Sequence, residues 1–402
     1  MRLVKARVVA VLENDDDVQH LLVRYPVADR GRSAELKSLT EREALNSTPN
    51  QGDCQAAEPL LTKPEALTET KALNYLALNR TCASGDEVLI NTTGLDLRLG
   101  TGGLAFVLPT SALELPAHTL TGTGGHIIKL RYTPLQRECA TVEEQGSRFH
   151  DLLKRADSLQ GLPVVCCELH SQMPLVAAAA RQVRPDARIV YCMTDQAALP
   201  LPLSDLARHT RAVGMIDSTI SCGQAFGGEL EAVNTYSGLL AARSVAQADV
   251  AIVAPGPGSV GTGTRMGHSG VGQGEALNAV SALGGQAVAV LRVSWADGRL
   301  RHQVLSHHSV VALGHVSLAP ARVALPASLN PRRRQQLEEA LDVAGLRQKH
   351  NFSYVELNPE RIDLRGIAVK TMGRDRHQDP EFFAAAFAAG ILAARLLPDA
   401  EG

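Results

Sequence analysis

The sequence predicts an α/β protein in two parts. A small antiparallel β domain occupies residues 1–138, and a doubly wound, mostly parallel, Rossmann-like α/β domain occupies 143–402. Three observations lead there. Short β-rich runs separated by glycine turns fill the first third. From Glu143 onward buried apolar runs alternate with helical segments, the pattern of parallel strands joined by crossovers. With 402 residues, 45% of them apolar, the chain can bury more than one core.

Met1 to Lys5 runs straight into the β-branched stretch ending at Leu12. The acidic turn Glu13-Asn14-Asp15-Asp16-Asp17 follows, so this segment reads as strand and turn rather than leader. Arg7–Leu12, His20–Tyr25, Lys71–Ala77, Glu87–Thr92, Leu104–Leu108 and His126–Leu130 are candidate strands of a barrel or sandwich. The polar tract near 28–69 reads as an inserted loop. G-T-G-G occurs at Gly100–Gly103 and Gly122–Gly125, where hairpin turns are expected, the alternative being loops that close over a ligand of the second domain.

In the second part, strands are expected at Leu162–Glu168, Ala187–Met193, Met215–Cys222, Asp249–Ala254, Gln286–Ser294, Arg322–Leu325 and Asn351–Glu356. Helices are expected at Gln172–Gln182, Ser204–Ala212, Ala232–Gln247, Gly274–Leu283 and Pro331–Ala344. Asp379-Pro380-Glu381 starts a last helix that runs to Leu397, with a cap, a proline in the first turn and an acid at the positive end of the dipole.

Composition excludes several classes. Forty basic against 42 acidic residues, with 3% aromatics, leave neither a global pull toward nucleic acid nor a base-stacking platform. The longest uncharged apolar run, Phe382–Ala394, is too short to span a bilayer. Neither nucleic acid nor membrane is therefore expected as a partner. Seven cysteines form no C-x-x-C, and Cys166, Cys167 and Cys192 fall inside apolar strands, so a reducing cytoplasm is expected. G-x-S-x-G and G-x-x-x-x-G-K-[ST] are absent.

Eight glycines lie between 254 and 274. Gly256, Gly258 and Gly261 match G-x-G-x-x-G in form, but Pro255 and Pro257 remove amide donors, and the next helix is expected only near Gly274. The segment Gly256, Gly258, Ser259, Gly261, Thr262, Gly263 and Thr264 reads instead as an anion or substrate loop, with packing turns as the alternative. Ligands of doubly wound sheets bind beyond the carboxyl ends of the strands. There stand Glu168-Leu169-His170, Thr194-Asp195, His268 and Ser306-His307-His308. His170, Asp195 and His307 are the candidate acid–base residues. His170, Asp195, His307 and His308 are the candidate metal ligands, although no H-E-x-x-H or H-x-H occurs. His268 and Asn234 complete the candidate ligand-binding set. Helix capping is the alternative for Glu229, Glu231 and Asn234. An extended Lys129-x-Arg131 is costly to place unless it meets acids or a ligand.

Several blocks resemble a bacterial family of unknown function, DUF3866: Val88-Leu89-Ile90-Asn91-Thr92-Thr93 with Leu99-Gly100-Thr101-Gly102-Gly103, and Gly125 through Gln136. Cys192-Met193-Thr194-Asp195, Ala225-Phe226-Gly227-Gly228, Glu231-Ala232-Val233-Asn234, Gly256–Thr264 and Arg301 through His308 are similar to it as well. The resemblance spans nearly the whole chain outside the insertion. It implies a bacterial protein with no assigned activity and supplies neither catalytic residues nor a cofactor. On the residues alone, the expectation is an enzyme acting on a small anionic metabolite, phosphorylated or nucleotide-like, in a crevice between the two domains. A non-catalytic metabolite sensor is the alternative. The last helix has apolar residues around more than one face, and its alanine–glycine side is expected to meet a second copy in a homodimer.

Overall fold

The computed structural model describes residues 3–26, 67–76, 78–92, 95, 103–108, 125–130 and 137–398. Contacts divide the chain into Met1–Thr121 and Gly122–Gly402. The first unit is a closed five-stranded barrel of β1 (Leu3–Asn14), β2 (Val18–Pro26), β3 (Leu67–Tyr75), β4 (Glu87–Asn91) and β5 (Leu104–Leu108), in the order β1-β2-β3-β5-β4. All neighbours pair antiparallel except β3 with β5. Alternate residues, among them Val8, Leu21, Val23, Ala72, Ile90 and Ala105, point inward and form its core. Pro26 and Leu67 are register partners, so the chain leaves and re-enters the β2–β3 pair at one point. Most of the insertion expected near 28–69, both G-T-G-G turns apart from Gly103 and Gly125, and Arg131–Gln136 lie outside the described residues.

The sequence ends the first domain at 138, whereas residues from Gly122 group with the second unit. Lys129 accounts for this. It sits in β6 (Ile127–Lys129), which pairs with β7 (Arg137–Cys139), and its buried ammonium donates to Glu231 Oε2 (2.7 Å), Ala225 O (2.6 Å) and Ser221 O (3.2 Å). The cation meets the acid that its cost required.

After helix α1 (His150–Arg155) comes an eight-stranded sheet in which every pair is parallel. Along the chain come β8 (Pro163–Cys166), α2 (Met173–Val183), β9 (Ile189–Thr194), α3 (Asp205–Ala212), β10 (Ser218–Cys222), β11 (Leu230–Ala232), α4 (Thr235–Ser244), β12 (Val250–Pro255), α5 (Val271–Ala282) and β13 (Gln286–Ala289). A side ribbon of β14 (Val293–Ser294) and β15 (Val304–Leu305) and the short helix α6 (His307–Val311) follow. Then come β16 (Arg322–Pro326), α7 (Pro331–Val343), α8 (Leu346–Lys349), β17 (Asn351–Val355) and α9 (Pro380–Arg395). The sheet order is β11-β10-β9-β12-β8-β13-β16-β17. Val164 and Cys166 of β8 face one core with α4, α5 and α7, while Val165 and Cys167 face the other with α2, α3 and α9. The chain therefore leaves β8 on one face and its neighbour β12 on the opposite face. This defines a switch point at their carboxyl ends.

Other expected elements change as well. Ala232, expected to start a helix, instead ends a short edge strand, Leu230–Ala232, and α4 begins three residues later. Asp379 does not cap α9 with its side chain, because its carboxylate accepts from Ser294 Oγ (2.9 Å) and Arg374 Nε (3.0 Å).

The alanine–glycine side of α9, expected at a dimer interface, is covered by α2 of the same chain. A Cβ at Gly390 would lie 2.3 Å from the Val176 carbonyl oxygen and 3.0 Å from Ala179 Cβ. Alanine favours a helix interior over glycine by about 1 kcal/mol, yet here it would force two buried backbones apart. Gly390→Ala is expected to destabilise the fold by about 1–3 kcal/mol in urea unfolding. A stabilised variant would show that the two helices separate freely.

Candidate functional site

The site grows from the end of β8. The strand is wholly buried, and the Gln172 side-chain oxygen accepts from the amides of Glu168 (2.9 Å) and Leu169 (3.0 Å), stopping the strand there. Glu168, 1% exposed, uses both carboxylate oxygens. Oε1 accepts from Arg292 and from His308 Nδ1, each at 3.1 Å, and Oε2 accepts from Ser309 Oγ at 3.0 Å. Burial pushes the carboxyl pKa up, but the His308 hydrogen bond and the Arg292 charge outweigh it and hold it at about 2. Glu168 is ionised at neutral pH.

Arg292 explains why the strand expected over Gln286–Ser294 breaks. β13 stops at Ala289, and β14 pairs antiparallel with β15 in a separate ribbon. Between them the Arg292 amide donates to Ser309 Oγ (2.9 Å) and its carbonyl accepts from the Ser306 amide (2.9 Å), turning the guanidinium between Glu168 and Asp297.

Ser306 caps α6, its hydroxyl accepting from the His308 amide at 3.2 Å, and a π-turn over Ala312–Val316 follows. Wide turns of this kind recur at functional sites. The short helix brings His307 and His308 beside His268. The three imidazoles each offer a nitrogen within 4.8 Å of the others. His268 stacks flat on His308 with centroids 3.8 Å apart, and His307 stands edge-on to both. Neither nitrogen of buried His268 has a hydrogen-bond partner, nor does Nδ1 of half-buried His307. His302 flanks the group and holds Ser306 Oγ through Nδ1 at 2.8 Å. Burial first, and neighbouring positive or titrating groups second, push the pKa of His268 down to about 4 and of His302 to about 3, and lower that of His307. These three rings are neutral at pH 7.

The glycine loop folds back over this cluster. The Ser269 amide donates to Val260 O and the Thr262 amide to Gly267 O, while Ser259 Oγ meets Ser269 Oγ at 3.1 Å and Thr262 Oγ1 meets Thr264 Oγ1 at 2.9 Å. A Cβ at Gly261 would lie 3.4 Å from His308 Nε2. One at Gly270 would lie 2.9 Å from His268 Nδ1. Gly256 is buried against the carbonyl of Ala198, whereas Gly258 and Gly263 are exposed with positive φ. In the gap among Glu168, Thr194, Pro255, Ser269 and Gln273 there is about 10 Å³, room for roughly one water. Of the three rings His307 is the most accessible, half-buried where His268 and His308 are buried.

Of the residues expected from sequence, the structure brings together His268, His307 and His308, with Gly261 above them. It does not bring His170, Asp195 or Asn234 into that group. The turn His170–Gln172 swings His170 toward α3, where Nδ1 donates to Pro255 O (3.0 Å) and Nε2 accepts from Ser204 Oγ (2.5 Å). Asp195 is exposed and ties two loops by accepting from the Gln224 amide at 3.0 Å. Asn234 caps α4 through the Ser237 amide (3.0 Å). Glu168, Arg292 and Ser309 join the site without having been assigned a role. The one signal for Glu168 was an acid at the end of a wholly apolar strand, where a charge needs a partner.

The fold and site define a class: an α/β protein with a buried carboxylate–histidine cluster at the switch point of a parallel sheet. The chain belongs to the family described as protein of unknown function DUF3866, whose model matches residues 71–390. No curated protein matches the chain, and no solved structure does. Among the described residues, no helix is long and apolar enough to cross a membrane.

Proposed function

We propose that the protein is an enzyme that moves a proton to or from a small anionic metabolite at the His268/His307/His308 cluster. The observation that carries this reading is the Glu168–His308 pair. An ionised, fully buried carboxylate fixes the His308 tautomer with its proton on Nδ1, so that Nε2 presents a lone pair beneath Gly261. Gly256, Gly258, Ser259, Gly261, Thr262, Gly263 and Thr264 form the loop that would hold the anion. The exposed glycine positions favour close backbone approach. His170 and Asp195 bond elsewhere and take no part in the reaction in this reading. The six described cysteines are buried free thiols, which favours a cytoplasmic protein.

The alternative is a sensor that binds the same ligand without turnover. A thermal-shift screen of anionic metabolites selects the ligand, since a ligand of the native state raises Tm. His308→Ala is then expected to lower turnover about 100-fold or more while ligand affinity changes little, and Gly258→Asp is expected to abolish the shift. A ligand that shifts Tm but is never converted would establish the sensor. A Gly258→Asp variant that binds normally would remove the loop from the site.

A further inference from the structure

We infer that His268, His307 and His308 form a mononuclear transition-metal site of the three-histidine, open-position kind, suited to zinc. This reading requires no catalytic step. It stands on donor atoms, burial and the surrounding bonds. A nitrogen that holds a metal has no lone pair for a proton, so His308 Nε2 is the proton acceptor of the proposed reaction only in the metal-free protein.

The donor set comes first. Three imidazole nitrogens lie within 4.8 Å of one another, and no carboxylate belongs to the group. Neutral imidazoles suit zinc, copper, nickel or ferrous iron, whereas magnesium and calcium prefer oxygen. Three protein ligands with a fourth position left to water is the arrangement of catalytic rather than structural zinc.

The second observation is what the nitrogens lack. His268 is buried, yet both its nitrogens are without a partner, as is Nδ1 of His307. A buried polar atom left unpaired is costly, and such atoms are rare in folded proteins. A bound cation at this point would satisfy them together.

Third, the outer shell is already assembled. Zinc-binding histidines commonly donate their second ring nitrogen to a carboxylate. Glu168 takes that place behind His308 Nδ1, leaving Nε2 for the metal. Its own oxygens are occupied by Arg292, His308 and Ser309, so it is held as an outer partner and not as a ligand.

The stack of His268 on His308 limits how the site closes. Ring lone pairs lie in the ring plane, and two rings only 1° from parallel do not aim at one point. One ring must turn. His308 is pinned by Glu168, while His268 has no side-chain hydrogen-bond partner and is held by its stack, so His268 is the ring that would turn to close the site. Gly261 leaves space beside His308 Nε2.

The test uses the untagged full chain, stripped with chelator and titrated with Co²⁺ and then Zn²⁺. One equivalent of Co²⁺ is expected to give the intense visible bands of tetrahedral coordination, and Zn²⁺ is expected to displace it. Loss of a ligand should cost at least the factor of about 10–100 in affinity that loss of an outer carboxylate costs. His268→Ala and His307→Ala are each expected to exceed it and to abolish the tetrahedral bands. Glu168→Gln is expected to weaken binding within that range and keep them, and His170→Asn is expected to leave binding unchanged. His307 is half-buried, so its variant remains informative should Glu168→Gln unfold. Weak octahedral bands, or affinity indifferent to His268→Ala and His307→Ala, would overturn the site. Metal bound without turnover would count against the proposed enzyme alone. Turnover by metal-free protein would count against a catalytic role for the metal, and the titration would still decide the site.

Discussion

Arg292→Leu is expected to destabilise the second unit by about 3–5 kcal/mol, because it breaks a buried ion network from its centre. Arg292 is 3% exposed and lies between Glu168 (1%) and Asp297 (2%). Arg299 and Arg374 still reach Asp297 when it is gone. Glu168 keeps only His308 and Ser309, and its charge is left buried without a permanent cation. At roughly 2–4 °C per kcal/mol for a domain of this size, the melting point should fall by about 6–20 °C. Glu168→Gln in the same chain removes the stranded charge, so the double variant should be more stable than the sum of the singles predicts, by about 1–3 kcal/mol. Urea unfolding of the two singles and the double closes the cycle. A single variant within 1 kcal/mol of the parent, or strict additivity, would show that Arg292 does not hold Glu168 in the way its geometry indicates. The same variant should loosen the His308 tautomer, joining the stability of the fold to the chemistry of the cluster.

The fold was largely legible because buried parallel strands are continuous apolar runs, and such runs stand out between helical segments. Leu104–Leu108 and Pro331 as a helix start appear where the residues place them. The Gln286–Ser294 run was not legible as two pieces, since its apolar pattern continues through the break. The break is made by Ser306 and Ser309, which bond the Arg292 backbone from elsewhere in the chain. Edge strand β11 was hidden for a similar reason: three residues carry no periodicity, and Glu231 is bound by Lys129, distant in sequence. Lys129 itself was legible as a charge in need of an acid. At the site, the sequence placed the histidines at strand ends but could not tell which would meet. Alternation along β8 puts Val164, Cys166 and Glu168 on one side, and continuing it would add His170. The turn at His170 ends the period-two geometry and carries that ring to the other face. Membership of the cluster therefore depended on one tight turn, on the Ser309 hydroxyl and on the Ser306 amide.

That displaced ring yields the second large effect. His170 is buried between Ser204, Tyr191 and the Pro255 carbonyl. A carbonyl only accepts, so Nδ1 carries the proton and Nε2 accepts from Ser204 Oγ, which in turn accepts from the Ala207 amide at the start of α3 (3.0 Å). Protonation would put a second donor against the Ser204 hydroxyl and a charge into a dry site. Burial accordingly pushes the pKa down to about 4 from an ordinary 6.5. Between those values the unfolded chain binds a proton that the native state refuses, so stability falls as pH drops from 6.5 to 4 and this contribution levels off below 4. The difference corresponds to about 3 kcal/mol on the scale of 1.36 kcal/mol per pH unit. His268, His302, His307 and His350 are also held low, so the parent's total acid slope should exceed the share of any one ring. His170→Asn keeps a donor near Pro255 and cannot titrate. Its cost at pH 7 should therefore shrink by about 3 kcal/mol when urea unfolding of both proteins is repeated at pH 4. A gap that stays constant across that interval would mean that His170 is protonated in the native state, and the hydrogen bond from Ser204 would have to be redrawn.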